Sequence, residues 1–179
     1  MNILGKIEAI LLMTDHPLNE DEIAEIIEEE KGAVIAALER FNGRYEGIEI
    51  RHIAGGYEFT TKSECGEYIA KLYEPPKMKL SQAAMETLAI TAYRQPVTRA
   101  EIEHLRGVNS DKIILSLVDK GFLTECGQKD TIGHPMMYGI TDKFLKYFGM
   151  SSSSDLPPIE NFLEEDHHNM LEGYTDSED

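Results

Sequence analysis

Tryptophan is missing from the 179 residues, and only six Phe and eight Tyr are present. Cores built from so few rings must be small and aliphatic. Cysteine is equally scarce. Cys65 and Cys126 stand alone, without a CxxC pair or a nearby pair of histidines. That spacing excludes a disulfide framework and a zinc site, and it suits reduced thiols in a cytosolic protein. Long apolar runs are lacking too. Near the N-terminus the longest unbroken one covers residues 9–13, far short of the ~20 residues of a membrane span. No small-residue cleavage site follows, so no signal peptide is expected. Basic side chains are few, with 17 Lys and Arg against 33 Asp and Glu, a formal net charge of -16.

Catalytic signatures are missing as well. No GxGxxG, Walker loop, HExxH or GxSxG occurs. His16, His52, His104 and His134 fall on separate elements, and the adjacent His167 and His168 offer two ligands at most. The acidic runs Glu28-Glu29-Glu30 and Glu164-Glu165-Asp166 read as solvated charge, since nothing encloses two carboxylates in an apolar site. The expectation is a protein without enzymatic activity, cofactor or metal.

What is present is a repeat. "DHPLNEDEIAEII" from residue 15 and "RQPVTRAEIEHLR" from residue 94 align at a constant offset of 79. Pro17 meets Pro96, Leu18 meets Val97, Asn19 meets Thr98, Glu22 meets Glu101 and Ile23 meets Ile102. Further on, Leu38 meets Leu117 and Tyr68 meets Tyr147. One unit used twice is the simplest account.

Each unit has the same local logic. A first helix ends before the proline, which disfavours helix in the residue ahead of it. A second helix starts at a capping box, Asn19-x-x-Glu22 or Thr98-x-x-Glu101. A third carries Val34, Ile35, Leu38 and Phe41, or Ile113, Ile114, Leu117 and Val118, at helical spacing, and stops near Gly43 or at Gly121. A hairpin follows, turning at Gly55-Gly56 in the first unit and through a longer tip with Gly127, Asp130, Gly133 and Pro135 in the second. A short helix closes each unit, over 64–73 and then 142–148. Three helices and a hairpin make a winged helix.

The fold class is therefore α+β, mainly helical: two tandem winged-helix domains with an acidic disordered C-terminal tail. The domains span 1–74 and 81–149. A proline-stiffened linker, "EPPKMK" and its neighbours over 75–80, joins them. The tail, 150–179, carries 9 acidic and no basic residues and too few apolar ones to offset ordering entropy.

Winged helices usually read DNA with the third helix. Here the charges argue otherwise. Residues 1–75 hold 16 acidic against 7 basic side chains, and residues 76–149 hold 8 against 10. In the second unit the polar residues of that helix are Ser110, Asp111, Lys112, Ser116, Asp119 and Lys120, with no Arg, Asn or Gln for bidentate base contacts. In the first unit an acidic second helix opposes phosphate binding. Sequence-specific readout is not expected, and Arg94, Arg99 and Arg106 leave room only for weak non-specific DNA contact. A winged helix without base-reading residues still has apolar grooves and a free wing edge for peptide docking. The alternative reading is a winged-helix transcription regulator.

"LSQAAMETLAITAYRQPVTRAEIEHLRGVNSD", from residue 80, and "GHPMMYGITDKFLKYFGM", from residue 133, resemble the segregation and condensation protein B family. Its members are accessory subunits of the bacterial SMC condensin complex, which acts in chromosome condensation and segregation during cell division. The likeness covers residues 1–150, most densely in the second unit. His134 stands in "GHP" where a basic residue is more usual, which weakens a phosphate role for this wing.

The resemblance implies a cytoplasmic scaffold, associated with the nucleoid through the complex. It implies a homodimer formed through the first domain, with Ile3, Ile7, Ile10 and Leu11 as interface candidates. It implies that the second domain grips the kleisin subunit, segregation and condensation protein A, and through it meets the SMC ATPase. The partner-binding residues it points to are Tyr93, Arg94, Gln95, Arg99, Arg106, Asn109, Pro135 and Tyr138, with Pro96 and Thr98 in the turn between them.

Overall fold

A computed structural model describes residues 1–41, 44–72 and 80–158. The first half begins with α1 (Ile3–Met13), α2 (Glu20–Ile27) and α3 (Lys31–Glu39). The Asn2 side chain caps α1 by accepting from the Gly5 N–H at 2.8 Å. The Asn19–Glu22 capping box forms at the head of α2. Ile7, Leu11, Ile23, Ile27, Val34 and Leu38 turn inward from these helices, and Phe41 seals the centre at 0% exposure. Strands β1 (Ile48–Ile53) and β2 (Gly56–Thr61) cover this core with Ile50 and, at its edge, Tyr57 and Phe59.

The hairpin turns one residue earlier than the sequence suggests. Ile53 pairs with Gly56, so the turn is Ala54-Gly55, with φ of 49° and 77°. Two positive φ values define the tight turn that matches strand twist. Gly56 instead lies against the segment before α2. A Cβ there would stand 2.9 Å from the backbone of Pro17 and Leu18. Leu18 exchanges two backbone hydrogen bonds with Tyr57, of 2.7 and 3.1 Å, and so acts as a one-residue third strand.

The second half repeats the plan with α5 (Gln82–Arg94), β3 (Val97–Thr98), α6 (Arg99–Arg106), α7 (Asp111–Asp119), β4 (Leu123–Gln128), β5 (Met136–Ile140) and α8 (Asp142–Phe148). The sheet order is β3-β5-β4, antiparallel throughout. The short β3, which periodicity does not announce, stands at the position equivalent to Leu18. Leu88, Leu117, Phe122, Leu123 and Phe144 form one core cluster, and Val97, Ile102 and Ile114 form another. Val118 touches both.

The closing helices differ. In place of one helix over 64–73, a 3-10 turn (Ser63–Cys65) leads into α4 (Gly66–Leu72). No α4 side chain is buried, whereas α8 seats Phe144, Leu145 and Phe148 on its core. Beyond α8, Met150 and Ser151 accept hydrogen bonds from the Ala54 and Gly55 N–H groups at 3.0 and 2.8 Å. Lys146 pairs with Glu58 at 3.4 Å. Of the expected linker only Leu80 is described, and residues 159–179 of the expected tail lie outside the described residues.

Candidate partner-binding site

The segment from Tyr93 to Arg106 is where local chemistry and exposure coincide. Helix α5 ends at Arg94 with Gln95 as its cap, and the Gln95–Pro96 peptide is cis. Val97 turns into the core and Thr98 caps α6. The Glu101 carboxylate accepts from the Thr98 N–H at 2.9 Å and from its hydroxyl at 2.8 Å. Its other oxygen is held by the Lys129 ammonium, which follows β4. This clamp ties the head of α6 to the wing.

Lys129 foremost, then the Thr98 donors, hold the Glu101 carboxyl at about 2, against an ordinary 4.5. A depressed carboxyl stabilises the fold fully above the ordinary value. That contribution is lost as pH falls from about 4.5 through about 2. The side chain is 44% exposed, so solvent screens the pair and its share of stability is modest. The Glu101 carboxyl carbon should titrate near 2 by NMR in the unaltered chain. In Lys129→Gln its midpoint should climb towards the ordinary value, and an unchanged midpoint would refute the clamp.

A groove of about 470 Å³ runs between the end of α5 and the outer face of α6, lined by Arg94, Pro96, Val97, Ala100, Glu101, His104 and Leu105. Leu105 is 53% exposed. Arg94 is exposed and makes no ion pair or hydrogen bond among the described residues. An apolar trough with a free guanidinium at its rim suits an extended or helical peptide carrying acidic residues.

The residues named from sequence separate into three groups. Arg94 lines the groove, whereas Arg99, on the α6 face that meets the start of α7, does not. Arg99 is exposed but paired, to Asp111 at 2.8 Å and to Glu103 at 3.9 Å. Tyr138 is half-buried opposite Val97, its hydroxyl pushed up chiefly by burial and then by the Glu125 charge. Pro135 is half-buried on the wing, and its carbonyl accepts from the Lys129 N–H at 2.9 Å. Asn109 is exposed at the α6–α7 turn, accepting from the Asp111 N–H at 3.3 Å.

The second group serves the fold itself. Gln95 accepts from the Ile140 N–H at 2.8 Å, joining the end of α5 to β5. Arg106 is 6% exposed along its side chain. Its guanidinium donates to the Ser110 hydroxyl at 2.7 Å and meets Glu86 at 3.2 Å. It thus clasps α5, α6 and the turn into α7, and has no free donor face. Thr98 is likewise buried, as a cap. Because Glu86 is half in water, Arg106→Ala should lower unfolding free energy by about 1–3 kcal/mol, the range for losing charged hydrogen bonds. Urea unfolding reads this, and a cost below about 0.5 kcal/mol, the usual spread for neutral surface changes, would return Arg106 to the surface.

Tyr93 forms the third group. Its hydroxyl donates to the Pro157 carbonyl at 2.6 Å, pinning the chain that follows α8 beside the end of α5. The groove residues not named as contacts from sequence are Val97, Ala100, Glu101, His104 and Leu105. Their signal is visible afterwards: Leu105 is an apolar residue on the solvent side of a strongly amphipathic helix.

The first unit tells a parallel story. Ile7 and Leu11 are 0% and 3% exposed, packed inside their own core, and Ile3 and Ile10 are partly buried at its edge. Apolar side chains left in solvent include Tyr68 and Leu72 of α4, at 70% and 69% exposure, Leu12 and Met13 at the end of α1, and Met1 and Ile26. On α7, the helix that would enter a DNA groove, Lys112, Leu115, Asp119 and Lys120 are exposed. Leu115 at the centre of that face offers no base a hydrogen bond. Among the described residues no helix is long and apolar enough to cross a membrane, and no group of three metal-binding side chains gathers.

Residues 5–159 match the protein family described as "Segregation and condensation complex subunit ScpB". The chain is 44% identical to the segregation and condensation protein B of Symbiobacterium thermophilum over 158 residues, 86% of this chain and 72% of that one. It is 40% identical to that of Moorella thermoacetica over 164 residues, 89% and 84% of the two chains. The crystal structure of ScpB from Mycobacterium tuberculosis is 35% identical, covering 83% of this chain and 95% of that one with a TM-score of 0.40. With a tandem winged-helix fold and matches running through both units, the chain belongs to the ScpB family of segregation and condensation complex subunits.

Proposed function

We propose that the chain is a non-enzymatic scaffold that binds the kleisin subunit through its second unit (81–149) and homodimerises through its first (1–74). The observation that carries the reading is the groove walled by Pro96, Val97, Ala100 and Leu105, with Arg94, unpaired among the described residues, at its rim. A kleisin segment with apolar residues and a carboxylate fits it. Arg99, Tyr138, Asn109 and Pro135, none of which lines the groove, are further contacts for the same partner outside it; Gln95 and Arg106 hold the unit in shape from within.

For the dimer, the exposed face of α4 is the better supported surface. Tyr68 and Leu72 remain in solvent where the equivalent helix α8 is seated on its core. Apolar side chains left out in this way mark protein contact sites. Such a subunit works in the cytoplasm and reaches the nucleoid through the kleisin and the SMC ATPase. DNA recognition is disfavoured by Leu115 and Asp119 on α7.

Light scattering coupled to size exclusion tests both parts. The chain alone should run as a dimer and shift to a 2:1 complex with kleisin. Leu72→Asp should yield monomers that still bind kleisin. Arg94→Glu should leave the dimer intact and abolish the shift. A monomeric wild type indifferent to kleisin would end this reading.

A further inference from the structure

The groove has a candidate occupant within the same chain. Past α8, residues 150–158 fold back over the second core. Leu156 packs against it, and the Tyr93 hydroxyl holds the Pro157 carbonyl. Pro157 and Pro158 lie with Tyr93 and Gln95 in one surface depression. The chain is therefore delivered to the end of α5, flanked in sequence by Arg94 and Pro96 of the groove.

The residues that follow are Ile159-Glu160-Asn161-Phe162-Leu163-Glu164-Glu165. They pair bulky apolar side chains with carboxylates and contain no cation. At ~3.3–3.6 Å per extended residue, the four residues from Pro158 to Phe162 can span at most ~14 Å. Arg94 and Pro96 of the groove are the chain neighbours of Tyr93 and Gln95, which line the depression holding Pro157 and Pro158. The chemistry is complementary: Phe162 and Leu163 suit the Pro96–Val97–Leu105 trough, and Glu160, Glu164 or Glu165 suits Arg94, which has no partner among the described residues, while the groove's own carboxylate, Glu101, is already held by Lys129.

We infer that residues 159–165 dock in the Arg94–Leu105 groove of their own chain as an internal pseudo-ligand that competes with the kleisin. This rests on the groove being the kleisin site, and it adds a form of self-restraint to it. A tether this short supplies an effective concentration of ~1 mM, so a segment of ~0.1 mM intrinsic affinity would weaken kleisin binding about tenfold.

The test uses the full chain with methyl-labelled Leu and Val. In Phe162→Ala/Leu163→Ala, the Leu105 and Val97 methyl signals should move. A synthetic peptide of residues 159–168 should restore them, and kleisin affinity should rise about tenfold. Unmoved methyls that also ignore the peptide would overturn the proposal. Wild-type methyl positions that depend on protein concentration would assign the occupant to a second copy, which overturns the intrachain form. Moved methyls with unchanged kleisin affinity would overturn the competition, and with it the kleisin assignment of the groove, while leaving the docking in place.

Discussion

Gly56→Ala should destabilise the first unit by about 2–4 kcal/mol, combining overpacking with the loss of backbone hydrogen bonds. The cause is space, since a methyl group at residue 56 would lie 2.9 Å from three backbone atoms of Pro17 and Leu18. Backbone cannot rotate away as a side-chain tip can. The Leu18 segment must move, and its two hydrogen bonds to Tyr57 weaken with it. Those bonds attach the start of α2 to the hairpin, so the damage spreads to the core around Ile23 and Phe41.

Gly32→Ala is the internal control. A methyl group there meets nothing within 4 Å, and the residue lies inside α3. It should stabilise by up to about 0.5 kcal/mol, the low end of the gain from alanine in a helix, because Gly32 stands in the first turn. Urea unfolding followed by far-ultraviolet circular dichroism reads both variants. Equal stability of Gly56→Ala and wild type would remove the close approach from the account.

Leu105→Asp should weaken kleisin binding at least ~30-fold, the size expected when a central interface anchor worth about 2 kcal/mol is lost. Leu105 is half in solvent in the free chain, so the substitution should leave unfolding within about 0.5 kcal/mol of wild type. Stability and binding are thereby separated. The companion variant is Leu115→Asp, on α7, where the leucine is 58% exposed and outside the groove. It should bind kleisin normally in isothermal titration. The reverse pattern would move the partner to α7 and withdraw the groove. Arg94→Glu combined with Leu105→Asp should lose less than the sum of the two, because one segment contacts both.

Legibility divided along sequence distance. The repeat, the helix caps and the closing helix α8 could be read directly, because each depends on residues a few positions apart. Asn19 with Glu22 and Thr98 with Glu101 are three residues apart, and both capping boxes formed as the spacing required. The lack of base-reading side chains on the third helix was also plain, since it is a matter of residue type. The fate of individual arginines was not. Arg94, Arg99 and Arg106 look alike in the sequence, yet among the described residues one has no partner, one is paired at the surface and one is 6% exposed.

What the sequence by itself determined is the kind of protein: a duplicated winged helix, acidic at both ends, with no catalytic pattern. What only the tertiary structure decided is which surface remains for a partner. Gln95 meets Ile140 45 residues away, Glu101 meets Lys129 28 residues away, and Arg106 meets Glu86 20 residues away. Each long-range contact consumes a polar side chain that local pattern leaves open. Burial likewise removes Ile7 and Leu11 from the surface and leaves Leu72 and Leu105 on it. An apolar residue at helical spacing is committed to a face, but the face is core or interface only according to what the rest of the chain brings against it.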